Sequence, residues 1–145
     1  MNKAIVYYSK TGNTDMVAKR FKGFDLLRIT AESDDPNMKH PKLTNIPTID
    51  AYDYIVFASP VHGFQLSKVM QTYLNQVQHL EGKLIDIYIT HFFPFAWMGG
   101  DQTLKQMKKL IQSSGGEVRF KTSINWSRRN REATIDEMIK LYQEK

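Results

Sequence analysis

Ser9-Lys10-Thr11-Gly12-Asn13-Thr14 puts hydroxyls, an amide, an ammonium and a glycine into six consecutive positions. An apolar run, Ala4–Tyr8, precedes it, and a helical pattern of Val17, Ala18 and then Phe21 follows. A buried strand therefore stops, turns through a glycine and enters a helix. The first N–H groups of a helix have no intrahelical partner and carry roughly half a positive charge between them. A turn that adds neutral donors and a lysine to such a terminus suits a phosphate. Helix capping and ordinary turns use the same residue types, but four adjacent side chains of the phosphate-binding kind exceed what one cap needs. The chain has no G-x-x-x-x-G-K-S/T, which speaks against a nucleoside triphosphate, and no G-x-G-x-x-G, which speaks against a dinucleotide.

The elements that position this turn alternate along the chain. Apolar runs at Lys3–Tyr8, Asp25–Ile29, Tyr54–Ala58, Leu84–Thr90 and Glu117–Ile124 read as strands. Leu66, Val69, Met70, Tyr73, Leu74 and Val77 form one continuous helical face. A second face holds Leu104, Met107 and Ile111 and stops at Gly115-Gly116; a third holds Ile135, Met138, Ile139 and Tyr142. Methionines in these stripes are core filling. Strand–helix alternation with short connections implies a parallel sheet covered on both faces and wound right-handed. The stretch Ala31–Ala51, with Pro36, Pro41 and Pro47, has no helical period, so the helix expected there is missing or much reduced.

In such a sheet, ligands bind beyond the carboxyl ends of the strands. That edge collects Ser9–Thr14, Ser59–Ser67, His91–Gly100 and Asn125–Asn130. Phe92, Phe93, Phe95 and Trp97 crowd the third of these loops, and aromatic side chains at a ligand edge suggest a flat ring to stack on. Packing the loop down is the competing use for them.

Bulk properties narrow the classes. The 145 residues, 41% hydrophobic and 24% charged, suit one globular domain spanning residues 1–145. The absence of cysteine excludes disulfides, thiolate metal sites, Fe–S clusters and a cysteine nucleophile. The N-terminus runs directly into a strand, and the longest uncharged stretches are too short to span a bilayer, so a cytoplasmic protein without a membrane span is expected. The net charge is +5, and Arg128-Arg129-Asn130-Arg131 is its tightest cluster. No nucleic-acid-binding motif accompanies it, so anionic small molecules or acidic protein partners fit the charge better than nucleic acid. His62 and His91 lie in ligand-edge loops and could donate to a ligand or supply a proton, although rim histidines usually do neither. No carboxylate pattern beside them suggests a metal. Ser9 and Ser59 stand where a phosphorelay receiver would need carboxylates.

With these residues in view, the chain resembles the flavodoxin-like superfamily over nearly its whole length. Ser9–Thr14 is similar to that group's flavin mononucleotide (FMN) phosphate loop, Ser/Thr-x-Thr-Gly-x-Thr. Ala58-Ser59-Pro60-Val61-His62-Gly63 is similar to its second flavin loop, and Thr90–Gly100 sits where the third does, with Gly99-Gly100 before the next helix. The resemblance implies a three-layer doubly wound α/β sandwich with a five-stranded parallel sheet of order 2-1-3-4-5. It also implies non-covalent FMN. Ser9, Lys10, Thr11, Gly12, Asn13 and Thr14 would hold the phosphate. Ser59, Pro60, Val61, His62, Gly63 and Phe64 would run along one side of the isoalloxazine, and Thr90, His91, Phe92, Gly99 and Gly100 would serve the third loop. The implied function is electron transfer or oxidoreduction through FMN, with a redox partner protein or NAD(P)H as counterpart and a small-molecule acceptor as a further option. Three alternatives stay open: an NAD(P)H-dependent flavin or quinone reductase, supported by Arg128 and Arg129; a flavodoxin-fold binding module that has lost the flavin; and a porphyrinogen-oxidising relative. Electron-carrier flavodoxins are usually strongly acidic, whereas this chain is basic. A less negative potential and different partners are therefore expected.

Overall fold

A computed structural model describes residues 1–92 and 100–143. Its elements, in chain order, are β1 (Lys3–Tyr7), α1 (Asn13–Ala18), β2 (Asp25–Arg28), β3 (Thr30–Ala31), β4 (Leu43–Asn45), β5 (Tyr54–His62), β6 (Gln65–Leu66), α2 (Lys68–Gln76), β7 (Leu84–His91), α3 (Gly100–Ser113), β8 (Val118–Asn125) and α4 (Arg131–Gln143). The main sheet runs β2-β1-β5-β7-β8, all parallel, and β6 folds back antiparallel on β5. Counting only the long strands, this is the expected 2-1-3-4-5 order.

Strand alternation sends successive side chains to opposite faces, and both faces are covered. Ile5, Tyr7, Tyr54, Val56, Ala58 and Tyr88 pack against α1 and α4 through Val17, Ile135, Met138 and Tyr142. Val6, Ile55, Phe57, Ile85, Ile87 and Ile89 pack against α2 and α3 through Met70, Tyr73, Leu104, Met107 and Ile111. Nearly continuous apolar strands are what a sheet buried on both sides requires, and the three layers follow from it. α3 ends where its glycines stand: Gly115 adopts φ +90°, and the N–H of Gly116 returns to the Ile111 carbonyl at 3.0 Å. A Cβ on Gly116 would lie 2.8 Å from Ile85 Cδ1, so this turn seats the helix end directly on the sheet.

The second crossover carries no helix. Between β2 and β5 the chain makes the short β3–β4 pair, joined by a loop with Pro36 and Pro41, and Ile29 and Ile49 alone of its neighbourhood are buried in that face's core. Two features differ from the sequence reading. α1 stops at Ala18, and buried Phe21 is reached through two tight turns instead of continued helix. β5 runs four residues past Ala58, to His62, so Ser59 and Pro60 are strand residues paired with Ile89 and Thr90. Pro60 is tolerated because β1 has already ended, leaving β5 a neighbour on one side only. No helix among the described residues is long and apolar enough to cross a membrane.

Candidate functional site

The carboxyl ends of β1, β5, β7 and β8 meet at one edge, and the loop at β1 organises it. Gly12 sits at φ +97° ahead of α1, a conformation that costs glycine little and other residues more. Ser9 is buried, and its Oγ accepts the N–H groups of Gly12 (3.1 Å) and Asp15 (3.3 Å), curling the turn back on itself. Two of the turn's amides are thereby used. Those of Lys10, Thr11, Asn13 and Thr14 have no acceptor among the described residues, and neither do the side chains of Lys10, Thr11 and Asn13. Lys10 and Thr11 are exposed, and Gly12 and Asn13 are half-buried.

Thr14 behaves differently from its neighbours. It is 1% exposed, its Oγ1 lies 3.0 Å from Thr90 Oγ1, and its carbonyl accepts the Tyr88 hydroxyl at 3.0 Å. These contacts tie the first turn to the end of β7. Sequence reasoning missed Arg28, which closes the turn from the other side: its guanidinium donates to the Ser9 carbonyl at 2.9 Å and stands 3.9 Å from Asp15. The signal was present, since the 2-1 strand pairing sets Arg28 opposite Tyr7, one residue before the end of the apolar run. Asp15 also accepts the Tyr7 hydroxyl at 2.5 Å and pairs with Lys19 at 2.8 Å. Burial acts to raise the Asp15 pKa, but these hydrogen bonds and the fields of Lys19 and Arg28 hold it below its ordinary value. Tyr7 is pushed up to about 12 by burial and by its bond to Asp15, so its hydroxyl stays a donor.

The second predicted loop is a β-hairpin. Val61 pairs with Leu66 and His62 with Gln65, and the reversal uses Gly63 (φ 57°) and Phe64 (φ 62°). Two consecutive left-handed residues are the signature of the tight turn that matches strand twist, and Phe64 is an uncommon occupant. Phe64 is 55% exposed. Ser59 is fully buried; its Oγ donates to the Pro60 carbonyl and lies 2.8 Å from Oγ of Ser67, the N-cap of α2. Its side chain is therefore part of the hairpin's own scaffold. Pro60, Val61 and His62 are half-buried, with Val61 packed on the core. The His62 ring meets Tyr8 edge-on, 6.1 Å between centroids. Tyr8 in turn donates to Asp34 at 3.0 Å, a partner that nothing in the irregular segment's composition advertised. Burial lowers the His62 pKa, as does the field of Lys10, against the opposing pull of Asp34.

At the third loop, Thr90 joins the site through Thr14. His91 is buried, its Nε2 lies 2.7 Å from Ser123 Oγ, and its carbonyl accepts the Trp126 N–H, so it locks β7 to β8. Phe92 is 60% exposed at the same edge, and buried Gly100 opens α3. Phe93, Phe95, Trp97 and Gly99 lie outside the described residues. Arg128 and Arg129 follow β8 in an exposed turn.

A doubly wound α/β sheet with its donors gathered at the carboxyl edge defines the class. Solved structures place it further. A flavoprotein from Lactobacillus acidophilus, crystallised in complex with FMN, superposes with a TM-score of 0.66 at 17% identity, covering 94% of this chain and 97% of that one. Flavodoxin 2 from Bacillus cereus gives 0.68 at 16% identity over 98% of both chains. The flavodoxin of Streptococcus pneumoniae gives 0.66 at 19% identity, covering 99% of this chain and 97% of its own. No protein-family model matches the sequence, and no curated protein sequence does. The chain has the flavodoxin-like fold.

Proposed function

We propose that this chain is a single-domain protein that binds FMN non-covalently at the carboxyl edge of its sheet and works as a flavin-dependent redox protein. The observation that carries the reading is the unspent donor set of the first turn. The amides of Lys10, Thr11, Asn13 and Thr14 lack acceptors among the described residues, and two cations, Lys10 and Arg28, stand beside them. A phosphate monoester carries about −1.5 to −2 charges at neutral pH and three acceptor oxygens. It would satisfy those donors without rearranging Ser9 or Thr14, which already hold the turn in shape. The exposed rings of Phe64 and Phe92, one on each neighbouring loop, offer apolar surface to an isoalloxazine. FMN supplies the electron chemistry when bound, and the protein's share is to seat it and exclude water. The likeness to a flavoprotein crystallised with FMN supports the same ligand. Purified protein mixed with FMN tests this: quenched flavin fluorescence and a structured visible spectrum are expected, and free-flavin behaviour at micromolar protein would refute it.

A second reading, reductase rather than carrier, draws support from Arg128 and Arg129 in the exposed turn at that edge, suited to a nucleotide phosphate. Oxidation of NADPH or NADH by the flavin-loaded protein alone would favour it; inertness without a separate reductase would favour a carrier.

A further inference from the structure

A cleft of about 600 Å³ opens between the β3–β4 loop, the β5–β6 hairpin and the first turns of α2. That volume is ordinary for a small-molecule site. Lys39 and His40 line it from the loop, His62 and Gly63 from the hairpin, and Lys68 and Gln71 from the helix; no carboxylate lines it among the described residues. The acidic residues closest in sequence, Asp34 and Asp35, are not among its lining: Asp34 accepts the Tyr8 hydroxyl at 3.0 Å and Asp35 accepts the Asn37 N–H at 2.9 Å. Lys68 is also unusually placed. It is the first residue of a nine-residue helix whose first turn carries no acidic side chain, so its ammonium adds to the positive end of the helix dipole, where a cation is disfavoured. Two lysines and a positive helix end therefore line one cavity, and among the described residues its only opposing field is that of Asp34 acting on His62 from outside the lining. His62, its pKa lowered chiefly by burial, brings a neutral ring with an N–H to the same wall.

We propose that this cleft binds a small oxyanion-bearing molecule, its phosphate or carboxylate group held by Lys39 and Lys68. His62 and Gly63 line the cleft and also belong to the second loop assigned to the flavin, so the occupant is an anionic co-substrate beside the FMN. Only that last step rests on the proposed function; the anion site itself does not.

The test is amide-resolved NMR of the full FMN-treated chain, titrated with inorganic phosphate and separately with succinate, at ionic strength fixed with chloride. Saturable shifts at Lys39, Gly63, Lys68 and Gln71 are expected, with affinity falling about fivefold in each of Lys39→Gln and Lys68→Gln, the effect of losing one exposed ion pair. Saturation by phosphate alone supports a phosphorylated ligand, and saturation by both supports a wider carboxylate class. No saturable shift with either anion, shifts confined to Ser9–Thr14, or unchanged affinity in the double variant would overturn the proposal. Saturation in protein that takes up no FMN would keep the anion site and remove the flavin reading; FMN uptake without saturation would do the reverse.

Discussion

The two ends of the central sheet use the same kinds of polar side chain to opposite effect. Near the amino ends of the strands, Asp86 is fully buried on β7, and every approach to its carboxylate is occupied. Arg119 reaches it with Nε at 3.1 Å and Nη2 at 2.6 Å, the Phe120 N–H donates at 2.9 Å, and the Tyr54 hydroxyl donates as well. Tyr142 extends the network, its hydroxyl donating to the Ile87 carbonyl at 2.7 Å. At the carboxyl ends, the first turn leaves four amides, a hydroxyl, an amide side chain and an ammonium without protein partners among the described residues. A closed network holds a fold together; an open one is completed by something from outside. Burial of polar groups is affordable at the first end because matching is complete, and at the second because solvent or ligand reaches the donors.

The sharpest way to break this contrast is Arg119→Met. It leaves a buried, negatively charged Asp86 with no cationic partner in the network, and breaking such a pair costs about 3–5 kcal/mol. Urea denaturation should register that loss, while FMN affinity of the remaining folded protein should be unchanged. A matching fall in affinity would mean that the two ends are coupled and the contrast is false.

Two threonines three residues apart test the same division at finer scale. Thr14 is buried against Thr90, so Thr14→Ala leaves a buried hydroxyl without its partner and should lower unfolding stability by about 1–3 kcal/mol. Thr11 is exposed and unpartnered, so Thr11→Ala should leave stability within about 0.5 kcal/mol. Its affinity for FMN should nonetheless fall by about 1–2 kcal/mol, the worth of a hydrogen bond to a charged group. Calorimetric titration with FMN, run beside the denaturation curves, separates the two effects. Equal behaviour of the two variants in both assays would erase the distinction between scaffold and ligand donor within the turn.

Most of the architecture was legible in the residues because the strands are apolar runs and the helices carry clear stripes; the parallel sheet and the missing second helix both followed, while the β2-β1-β5-β7-β8 order came from the resemblance. The candidate edge was legible by loop but not by atom. The resemblance assigned Ser59 and His91 to the flavin loops, and their side chains bond Ser67 and Ser123. Which hydroxyl is spent on the scaffold depends on register across strands distant in sequence, and no local pattern encodes that. Arg28 and Asp34 were missed for the same reason: one gains its role from the neighbouring strand, the other from a loop without periodicity. Asp86, a charge within an apolar strand that the sequence reading did not single out, takes four hydrogen bonds there.

Asp15 crosses the division, being a closed network placed at the open end. Its carboxylate accepts from Tyr7 and Lys19 and stands 3.9 Å from Arg28, so it trims the positive charge beside the first turn while pinning α1 to β1 and β2. Because its pKa in the folded chain lies below the ordinary 3.8, the unfolded chain binds protons more readily as acid is added. The stability it contributes is therefore complete above about pH 4 and drains away as pH falls through the folded value. The expected outcome is a urea midpoint that drops between pH 6 and pH 3 in the native chain and drops less steeply in Asp15→Asn. The side chain is mostly screened from solvent but its partner Lys19 is exposed, which makes this the smallest of the effects. Should Asp15→Asn keep the full acid slope, the carboxylate at the open end is not part of the scaffold, and Arg28 is held at the turn by the Ser9 carbonyl alone.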